Sequence, residues 1–515
     1  MKAKIISILV LTLLITTTIS AVGDLNIYND SEKIQNKELQ ELNFKSEFQI
    51  FGFASIIPDD NYFNEQWSLH NTGQTGGTTD CDIDAPEAWD IITGNADVVI
   101  ALIDSGVDYT HPDLAENIWT NEDEIADNDI DDDSNGYIDD VIGWDFYYDD
   151  NDPLDNNGHG THCAGIIAAE TNNSIGIAGV CWNCKIMCLK KSPAGLGVPP
   201  DINACVKAIK YAADNGADII SMSFGIDYFN QSLRDSVNYA YDKGVFLVAS
   251  AGNGNTDGKH YPAAFDKVLA VAGTDCNDNR MSYYYEEFGV WVISNYGDWV
   301  DVAAPGQEIY STFPTYQCAY NAYGFPQNYA YLSGTSMAAP HVAGLAALLL
   351  SKNPGYSLDN LKTLICENVD PYDSTYDLGT GRINAYKALS NNPPENPSIT
   401  GQTHGTAGTE YTYTFNTVDP EEDEVFYFIK WGDGYTELWE GPYASGANVN
   451  INHTYTKEGT FTIEAKARDT FNEESSWGSL TVTMPRDKSI SSSPLLRFLE
   501  RYPLLQTLLM RLGLQ

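Results

Sequence analysis

Residues 332–344 place one serine hydroxyl among small residues at the start of an apolar helix. Gly334 permits a tight turn, and the positive end of a helix dipole favours negative charge developing on Ser336. The alanines that follow leave room for a substrate to approach. These features are typical of a nucleophile, which needs a base to take its proton. An ordinary capped helix is the competing interpretation of this segment taken alone.

Two further segments supply the groups that would activate such a serine. Residues 98–106 form a continuous apolar run that includes Asp104, which indicates a buried parallel strand with a carboxylate at its C-terminal end. Open α/β sheets carry their active sites at that end. Residues 157–165 place His159 at the start of a second apolar helix. The chain therefore contains a carboxylate, an imidazole and a hydroxyl that suit acyl transfer.

These three segments, in the order Asp, His, Ser, resemble the subtilisin-like serine proteases over about residues 61–391. The resemblance implies that Ser336 attacks the scissile carbonyl and that His159 is the general base. It also implies that Asp104 orients the imidazole and stabilises its protonated form. His162 lies on the same segment as His159 and is the competing base.

The same resemblance implies which residues contact the substrate. Asn253 would hold the oxyanion together with the backbone amide of Ser336, and an asparagine in a turn is the competing interpretation. An edge strand would pair with an extended peptide, and a second segment would form one wall of the primary side-chain pocket. The edge strand comprises Ser223, Phe224 and Gly225, and the wall comprises Ser250, Ala251 and Gly252. Residues 260–263 are expected near the pocket floor, and without an obvious charge there we expect a preference for large uncharged side chains.

Residues 127–140 form the longest acidic stretch and follow the spacing of the first half of a calcium-binding loop, with Gly136 at the turn. The candidate ligands are Asp131, Asp133, Asn135, Tyr137 through its carbonyl, Asp139 and Asp140. The twelfth position is Ile142 rather than glutamate, so the segment is not an EF-hand. We predict a structural calcium ion here, and a solvated acidic loop is the alternative.

A second calcium site is implied by the resemblance alone. Its ligands would be Asp113, Asn173 and the carbonyl oxygens of Ile175 and Ile177. One extra residue before this loop departs from the family pattern. Calcium bound to the native state at both sites would slow unfolding and autolysis.

Helical segments alternate with apolar strands from about residue 96 to residue 389. This pattern predicts an α/β fold, and the resemblance implies a subtilisin-like parallel sheet flanked by helices over residues 61–391. The Asn- and Pro-rich residues 392–397 form a linker, and residues 398–484 alternate as antiparallel strands do.

Two segments within residues 398–484, at 431–434 and 453–463, resemble a PKD domain, which is a small all-β sandwich of immunoglobulin-like fold. The resemblance implies attachment to a substrate or a surface, and a plain spacer is the alternative.

Both ends of the chain differ from these domains. Residues 1–21 combine two lysines, an apolar run and small residues, which predicts a signal peptide, with a retained anchor as the alternative. Residues 22–60 would be a pro-segment or N-terminal extension. Residues 485–515 form an amphipathic tail that is too interrupted to span a bilayer. A tail of this kind is suited to a membrane surface, to docking on the catalytic domain or to a sorting role. We therefore expect a secreted or cell-surface protein.

The composition argues against nucleic-acid binding, because Lys and Arg total 28 against 72 Asp and Glu, a formal net charge of -44. The nine cysteines cannot all pair within one chain. Cys181 and Cys184 would form a redox motif, a zinc half-site or a small disulfide loop.

These patterns together predict a secreted, calcium-stabilised serine endopeptidase that acts on polypeptides, and we expect a monomer. Two alternatives belong to other classes. One is a catalytically silent surface-binding protein, and the other is a transpeptidase that uses the same acyl-enzyme.

Overall fold

The computed structural model of the chain describes residues 55–195, 197–372, 375–485 and 501. The predicted signal peptide, nearly all of the 22–60 segment and nearly all of the 485–515 tail lie outside these residues. Within the described ranges, no helix combines the length and the apolar content needed to cross a bilayer.

The larger domain contains one large sheet of apolar strands and two separate strand pairs. Its strands are β1 (Val99–Asp104), β2 (Gly143–Asp145), β3 (Lys185–Lys190), β4 (Ile219–Met222), β5 (Phe246–Ser250), β6 (Leu269–Thr274), β7 (Ser282–Tyr285), β8 (Val290–Ile293), β9 (Val302–Pro305), β10 (Ile309–Phe313), β11 (Asn328–Leu332), β12 (Val369–Asp370) and β13 (Arg382–Ile383). Nine of them form one sheet in the order β12-β13-β9-β6-β5-β4-β1-β3-β2, and every neighbouring pair except β12 with β13 is parallel. The predicted parallel α/β sheet is confirmed.

Helices cover both faces of this sheet. They are α1 (Ala85–Trp89), α2 (His159–Ala168), α3 (Ile202–Asp214), α4 (Gln231–Asp242), α5 (Thr335–Lys352), α6 (Leu358–Glu367) and α7 (Ala385–Leu389). Helices α2 and α5 belong to the core on one face, and α3 and α4 belong to the core on the other. Helix α5 is buried along almost its whole length, which explains why its sequence is small and apolar on every side. It begins at Thr335, so Ser336 lies in its first turn.

The smaller domain is a two-layer sandwich, as predicted. Its strands are β14 (Ser398–Gly401), β15 (Glu410–Asn416), β16 (Val425–Lys430), β17 (Thr436–Tyr443), β18 (Val449–Thr454), β19 (Gly459–Arg468) and β20 (Gly478–Met484). One sheet has the order β14-β15-β18 and the other β17-β16-β19-β20. Their inward-facing residues, which include Tyr413, Tyr427 and Trp431, alternate with exposed ones and form a separate core.

The connection between β19 and β20 packs against the larger domain. Phe471 joins the core that contains α5, and the Tyr356 hydroxyl donates to Glu473 Oε1 at 2.8 Å. The side chain of Asn391 donates to Asp469 Oδ2 at 2.8 Å. The sandwich therefore lies in direct contact with the larger domain.

Candidate active site

Asp104 and His159 form a hydrogen-bonded pair between the end of β1 and the start of α2. His159 Nδ1 lies 2.8 Å from Asp104 Oδ1, and the carboxylate is buried. Burial alone would raise the pKa of Asp104, but the adjacent imidazole lowers it below the ordinary value. Burial likewise opposes charge on the imidazole, yet the Asp104 carboxylate raises the pKa of His159 well above its ordinary value. The pair is therefore arranged to stabilise a protonated imidazole.

Two residues that the sequence did not single out fix this pair. The Ser105 hydroxyl donates to Asp155 Oδ1 at 2.9 Å and accepts the N–H of Gly160 at 2.9 Å. Asp155 is fully buried, and it also accepts the N–H groups of Gly158 and Thr161 in and before the first turn of α2. Asp155 therefore satisfies amides at the start of the helix that carries His159 and ties that helix to the end of β1.

His162, the competing base, is used differently. Its Nε2 lies 3.0 Å from the carbonyl oxygen of Ile309 and 3.1 Å from that of Ala330. The side chain is fully buried, and burial lowers its pKa to about 3. The structure thus makes His162 a neutral residue of the core.

Ser336 and Ser223 face each other across the start of α5. The Ser223 hydroxyl donates to the carbonyl oxygen of Ser336 at 2.8 Å, and the Ser336 hydroxyl donates to the carbonyl oxygen of Ser223 at 3.4 Å. The Ser336 carbonyl also accepts a hydrogen bond from the Cys163 thiol, whose Sγ lies 3.5 Å away. The backbone of the candidate nucleophile is therefore held from two sides while its side chain remains partly exposed.

Asn253 contacts the residue that precedes Ser336. Its Oδ1 accepts the Thr335 N–H at 2.9 Å and the Thr335 hydroxyl at 3.1 Å. That hydroxyl in turn accepts the N–H of Gly252 at 3.0 Å. Because the amide oxygen is engaged, Nδ2 is the end of the side chain that is left to act as a donor. The backbone N–H of Ser336, in the first turn of α5, is the natural second donor.

His159, Asn253 and Ser336 line one cleft of about 160 Å³. The structure thus brings three of the predicted site residues to a common opening, with Asp104 directly behind His159. A nucleophile, a paired base and amide donors at one opening suit acyl transfer.

The residues expected to bind the acyl side of a substrate form two adjoining segments. Ser223, Phe224 and Gly225 follow β4, whereas Ser250, Ala251 and Gly252 end β5 and continue beyond it. The imidazole of His260 lies between the two glycines: a Cβ on Gly225 would come within 2.2 Å of His260 Nε2, and one on Gly252 within 3.0 Å of His260 Cδ2. His260 Nδ1 lies 2.7 Å from Asp227 Oδ1. His260, one of the residues expected near the pocket floor, therefore lies between the two candidate substrate-binding segments.

In the predicted acidic loop, several carboxylates accept hydrogen bonds from backbone N–H groups of the same loop. Asp131 accepts the N–H groups of Asn135 and Gly136, and Asp139 accepts two further backbone N–H groups. Asn135 Oδ1 accepts the N–H of Tyr137, whose ring packs on Trp144, Phe146 and Tyr211. These contacts shape the loop.

Three other carboxylates, two from the loop and one that precedes it, lie close together. Oxygen atoms of Glu124, Asp133 and Asp140 all lie within 4.8 Å of one another. Burial raises the pKa of the Asp140 carboxyl, and nearby Asp133 adds to this. Asn121 Nδ2 lies 3.1 Å from Asp133 Oδ2 and 3.3 Å from Asp140 Oδ1. Glu124, which sequence analysis missed, adds a carboxylate from outside residues 127–140.

The second predicted cation site contains a fully buried carboxylate. Asp113 Oδ1 accepts a hydrogen bond from Asn173 Nδ2 at 3.0 Å. Asp113 Oδ2 accepts one from the Ile177 N–H at 2.9 Å. The exposed Ile175 donates its N–H to Asn173 Oδ1 at 2.9 Å. Burial raises the pKa of Asp113 to about 7, and the charge of the nearby, buried Asp60 contributes. Asp60 is a further acidic residue that sequence analysis missed.

The structure joins Cys181 to Cys184 in a disulfide. This bond decides among the three interpretations of the pair in favour of a small disulfide loop. The other seven cysteines, all within the described part of the chain, are thiols.

Comparison with known proteins places most of the chain in one family. Residues 95–401 match the model of the subtilase family, Peptidase_S8. Thermitase from Thermoactinomyces vulgaris is 43% identical over 312 residues, which cover 60% of this chain and 93% of thermitase. The halolysin-like extracellular serine protease Nep from Natrialba magadii is 35% identical over 341 residues, 65% of this chain and 53% of that protein. The matched region contains Asp104, His159 and Ser336.

Two solved structures resemble parts of the chain. A protease from Pseudoalteromonas arctica PAMC 21717 matches with a TM-score of 0.52 and 28% identity over 65% of this chain and 98% of that chain. The PKD domain of an M14-like peptidase from Thermoplasmatales archaeon SCGC AB-540-F20 is 56% identical over 19% of this chain and 100% of that chain, with a TM-score of 0.19.

Proposed function

The chain belongs to the subtilase family and is a serine endopeptidase, and we propose that Ser336, His159 and Asp104 are its catalytic triad. The observation that carries this assignment is the 2.8 Å contact between His159 Nδ1 and Asp104 Oδ1, beside a cleft that His159 shares with Ser336. The imidazole is thereby held with its other nitrogen available to the serine.

The reaction begins with attack of Ser336 Oγ on the scissile carbonyl. The Ser336 hydroxyl gives up its contact with the Ser223 carbonyl and passes its proton to His159 Nε2. The buried Asp104 carboxylate stabilises the imidazolium that forms. Asn253 Nδ2 and the Ser336 backbone N–H donate to the oxyanion, a contribution that is typically worth a factor of about 10² to 10³ in turnover for one donor.

Collapse of the tetrahedral intermediate breaks the C–N bond. His159 returns its proton to the leaving amine, which departs and leaves the acyl group on Ser336 Oγ. Water then attacks the acyl-enzyme with His159 again as base, so that the acid is released and the serine is regenerated. Ser223, Phe224 and Gly225 pair with the extended substrate, and Ser250, Ala251 and Gly252 line its primary side-chain pocket.

Casein hydrolysis by the purified exported protein tests this proposal. We expect cleavage by the wild type and loss of at least about 10³-fold with Ser336→Ala, because the nucleophile is removed. Equal cleavage by the two proteins would overturn the triad. The masses of the products show whether water or an amine resolves the acyl-enzyme, which separates hydrolysis from transpeptidation.

We further propose that the two acidic clusters hold structural calcium. Glu124, Asp133 and Asp140 fit the ion through three converging carboxylates, and oxygen ligands of this kind suit calcium. Asp113, with Asp60 nearby, is buried without a cation to balance its charge among the described side chains that contact it. The ion would hold these loops together, and no catalytic step passes through it.

We propose that the protein is exported, with residues 1–21 as the signal peptide and maturation within residues 22–60. The N-terminal pattern, the extracellular relative and the Cys181–Cys184 disulfide support this proposal. Mass spectrometry of the exported protein would give its first residue. A mature protein that retains residues 1–21 would contradict the proposal.

We propose that the sandwich, which resembles a PKD domain, contacts polymeric substrates through its four-stranded sheet. On the outer face of β16 and β19, Phe428 lies opposite Lys466, and the partly exposed Trp477 flanks both. A face that carries aromatic and cationic side chains suits attachment to a large ligand. Trp477→Ala should weaken retention on insoluble protein fibres while leaving hydrolysis of a soluble peptide unchanged. Unchanged retention would contradict this role.

A further inference from the structure

Lys191 carries a buried ammonium group that forms no ion pair with any described carboxylate. The residue is only 7% exposed, and its Nζ lies 5.0 Å from the centre of the Phe224 ring. Contact with an aromatic face offsets part of the cost of burying a cation. A buried charge remains costly unless an opposite charge balances it. We therefore looked for the negative charge that lies near this lysine.

Lys191 directly follows β3, and its backbone lies beside the residue that ends β1. The Lys191 N–H donates to the Asp104 carbonyl oxygen at 2.8 Å. Lys190, its neighbour in sequence, is already paired, because its Nζ lies 3.0 Å from Asp145 Oδ2. Successive residues of a strand point to opposite faces, so the Lys191 side chain lies on the α3 face of the sheet, where Phe224 also packs. Lys191 is thus an unpaired cation at the edge of the sheet where Asp104 lies.

The Asp104 carboxylate has one oxygen without a hydrogen-bond donor. Asp104 Oδ1 lies 2.8 Å from His159 Nδ1 and accepts the Ser105 N–H at 2.7 Å. Asp104 Oδ2 is buried and contacts no donor among the described residues. Burial raises the pKa of Asp104, and the charges of His159 and then of Lys191 lower it. An anion and a cation that direct contacts leave unbalanced therefore lie close enough to interact through space.

The other titratable groups around the Asp104–His159 pair bring no positive charge. They come from several elements: His162 and Cys163 from α2, Cys205 from α3, and Tyr320 from the segment after β10. Burial lowers the pKa of His162 to about 3, and it raises the pKa of both thiols and of the tyrosine, so these groups are uncharged at neutral pH. Asp155 adds a second buried carboxylate. Of these surrounding residues, Lys191 is the one that supplies a cation.

We propose that Lys191 is an electrostatic positioning residue of the triad, whose ammonium balances the buried Asp104 carboxylate and extends the action of His159 as a base to lower pH. This inference rests on the proposed function. A positive charge favours the ionised carboxylate and opposes protonation of the imidazole beside it. His159 must be neutral to accept the serine proton, so the lysine favours activity at lower pH.

The pH dependence of kcat/KM for a soluble peptide tests this inference in the full-length exported protein. Lys191→Met removes the charge and keeps an unbranched side chain. We expect the rise of kcat/KM with pH to move to higher pH by at least about 0.5 unit, because the imidazolium is no longer opposed by the ammonium. Lys191→Arg keeps the charge and should leave the rise at its wild-type position.

Lys207→Met is the matched control. It also removes one lysine, but this side chain is 54% exposed on α3, and its Nζ lies 3.9 Å from Asp149 Oδ1. We expect the control to leave the pH profile unchanged. The difference between the two methionine variants should persist at high salt, because salt screens buried charges less than exposed ones.

An unchanged profile in an active Lys191→Met would overturn the inference. An equal displacement in Lys191→Arg would also overturn it, since packing rather than charge would then be the cause. If Lys191→Met does not fold, nitrogen-15 NMR of the wild-type lysines tests the charge, with the Lys191 signal assigned by its loss in Lys191→Arg. A charged ammonium at neutral pH would support the inference, and an uncharged amine would overturn it. Absence of peptide hydrolysis by the wild type would instead contradict the proposed function.

Discussion

Ser223 and Ser336 exchange hydrogen bonds at the start of the nucleophile's helix: the Ser223 hydroxyl donates to the Ser336 carbonyl at 2.8 Å, and the Ser336 hydroxyl donates to the Ser223 carbonyl at 3.4 Å. Ser223 thus both fixes the backbone of the nucleophile and holds its side chain in the resting state. A residue assigned to the substrate strand is therefore also part of the support for the reacting group.

Removing the Ser223 hydroxyl should impair catalysis. We expect Ser223→Ala to lower kcat/KM by about fivefold, since a hydrogen bond of this kind is worth about 1 kcal/mol. Steady-state kinetics on a soluble peptide measures the change. Ser221→Ala is the matched control, because the buried Ser221 Oγ has no hydrogen-bond partner among the described residues. Equal losses in both variants would show that Ser223 has no special role.

We expect the Asp104–His159 pair to set the pH dependence of activity. His159 must be neutral to accept a proton, and Asp104 raises the pKa of His159 well above its ordinary value. In the wild type, kcat/KM should therefore rise with pH through that raised pKa, above about 6.5. Asp104→Asn removes the negative charge, so the rise should move to lower pH while kcat falls by about 10⁴. An unchanged position of the acid limb in the variant would contradict the assignment.

Asn253→Ala should lower kcat by about 10² to 10³ with little change in KM, because the oxyanion forms only after binding. Thr335→Val should show a smaller loss of the same kind, since the Thr335 hydroxyl donates to Asn253 Oδ1 at 3.1 Å. Thr335→Ser keeps that donor and is the control. A loss that appears mainly in KM would argue against an oxyanion role.

The floor of the acyl-side pocket offers a test of specificity. The His260 imidazole lies between Gly225 and Gly252, and we expect it to limit the depth of the proposed pocket. We expect His260→Gly to raise kcat/KM for a peptide with phenylalanine before the scissile bond at least about tenfold relative to one with alanine. A peptide series that differs only at this position measures the ratio. An unchanged ratio would place His260 outside the pocket.

Chelation of calcium should destabilise the protein. An ion present at 100 times its Kd stabilises the native state by about 2.7 kcal/mol, so removal with EGTA should lower Tm and speed autolysis. Asp113→Asn and Asp140→Asn should each reduce the difference in Tm between calcium and EGTA. The exposed Asp123 provides the control Asp123→Asn. A Tm that does not respond to EGTA would contradict both proposed sites.

The groups that we propose carry the chemistry each have a local signature in the sequence. Asp104 ends an apolar run that forms a strand, and Ser336 precedes an apolar helix, so periodicity and the ends of elements indicated their places. The parallel sheet and the sandwich followed from the same patterns. His260 was placed near the pocket floor only by resemblance.

Residues that act through distant contacts were not predictable in this way. Asp155 supports Ser105 across 50 positions of sequence, and Asp60 lies near Asp113 only in the folded chain. Glu124 joins Asp133 and Asp140 from outside the regular spacing of the loop. Such relationships are set by tertiary packing rather than by local sequence.

The central claim is that Ser336 is the nucleophile, and a fluorophosphonate that modifies activated serines tests it most directly. Peptide mapping by mass spectrometry should locate one adduct on Ser336 of the exported protein and none in Asp104→Asn over the same exposure, because the unassisted serine reacts far more slowly. An unmodified Ser336 in a protein that cleaves casein, or an adduct on another serine, would contradict the account.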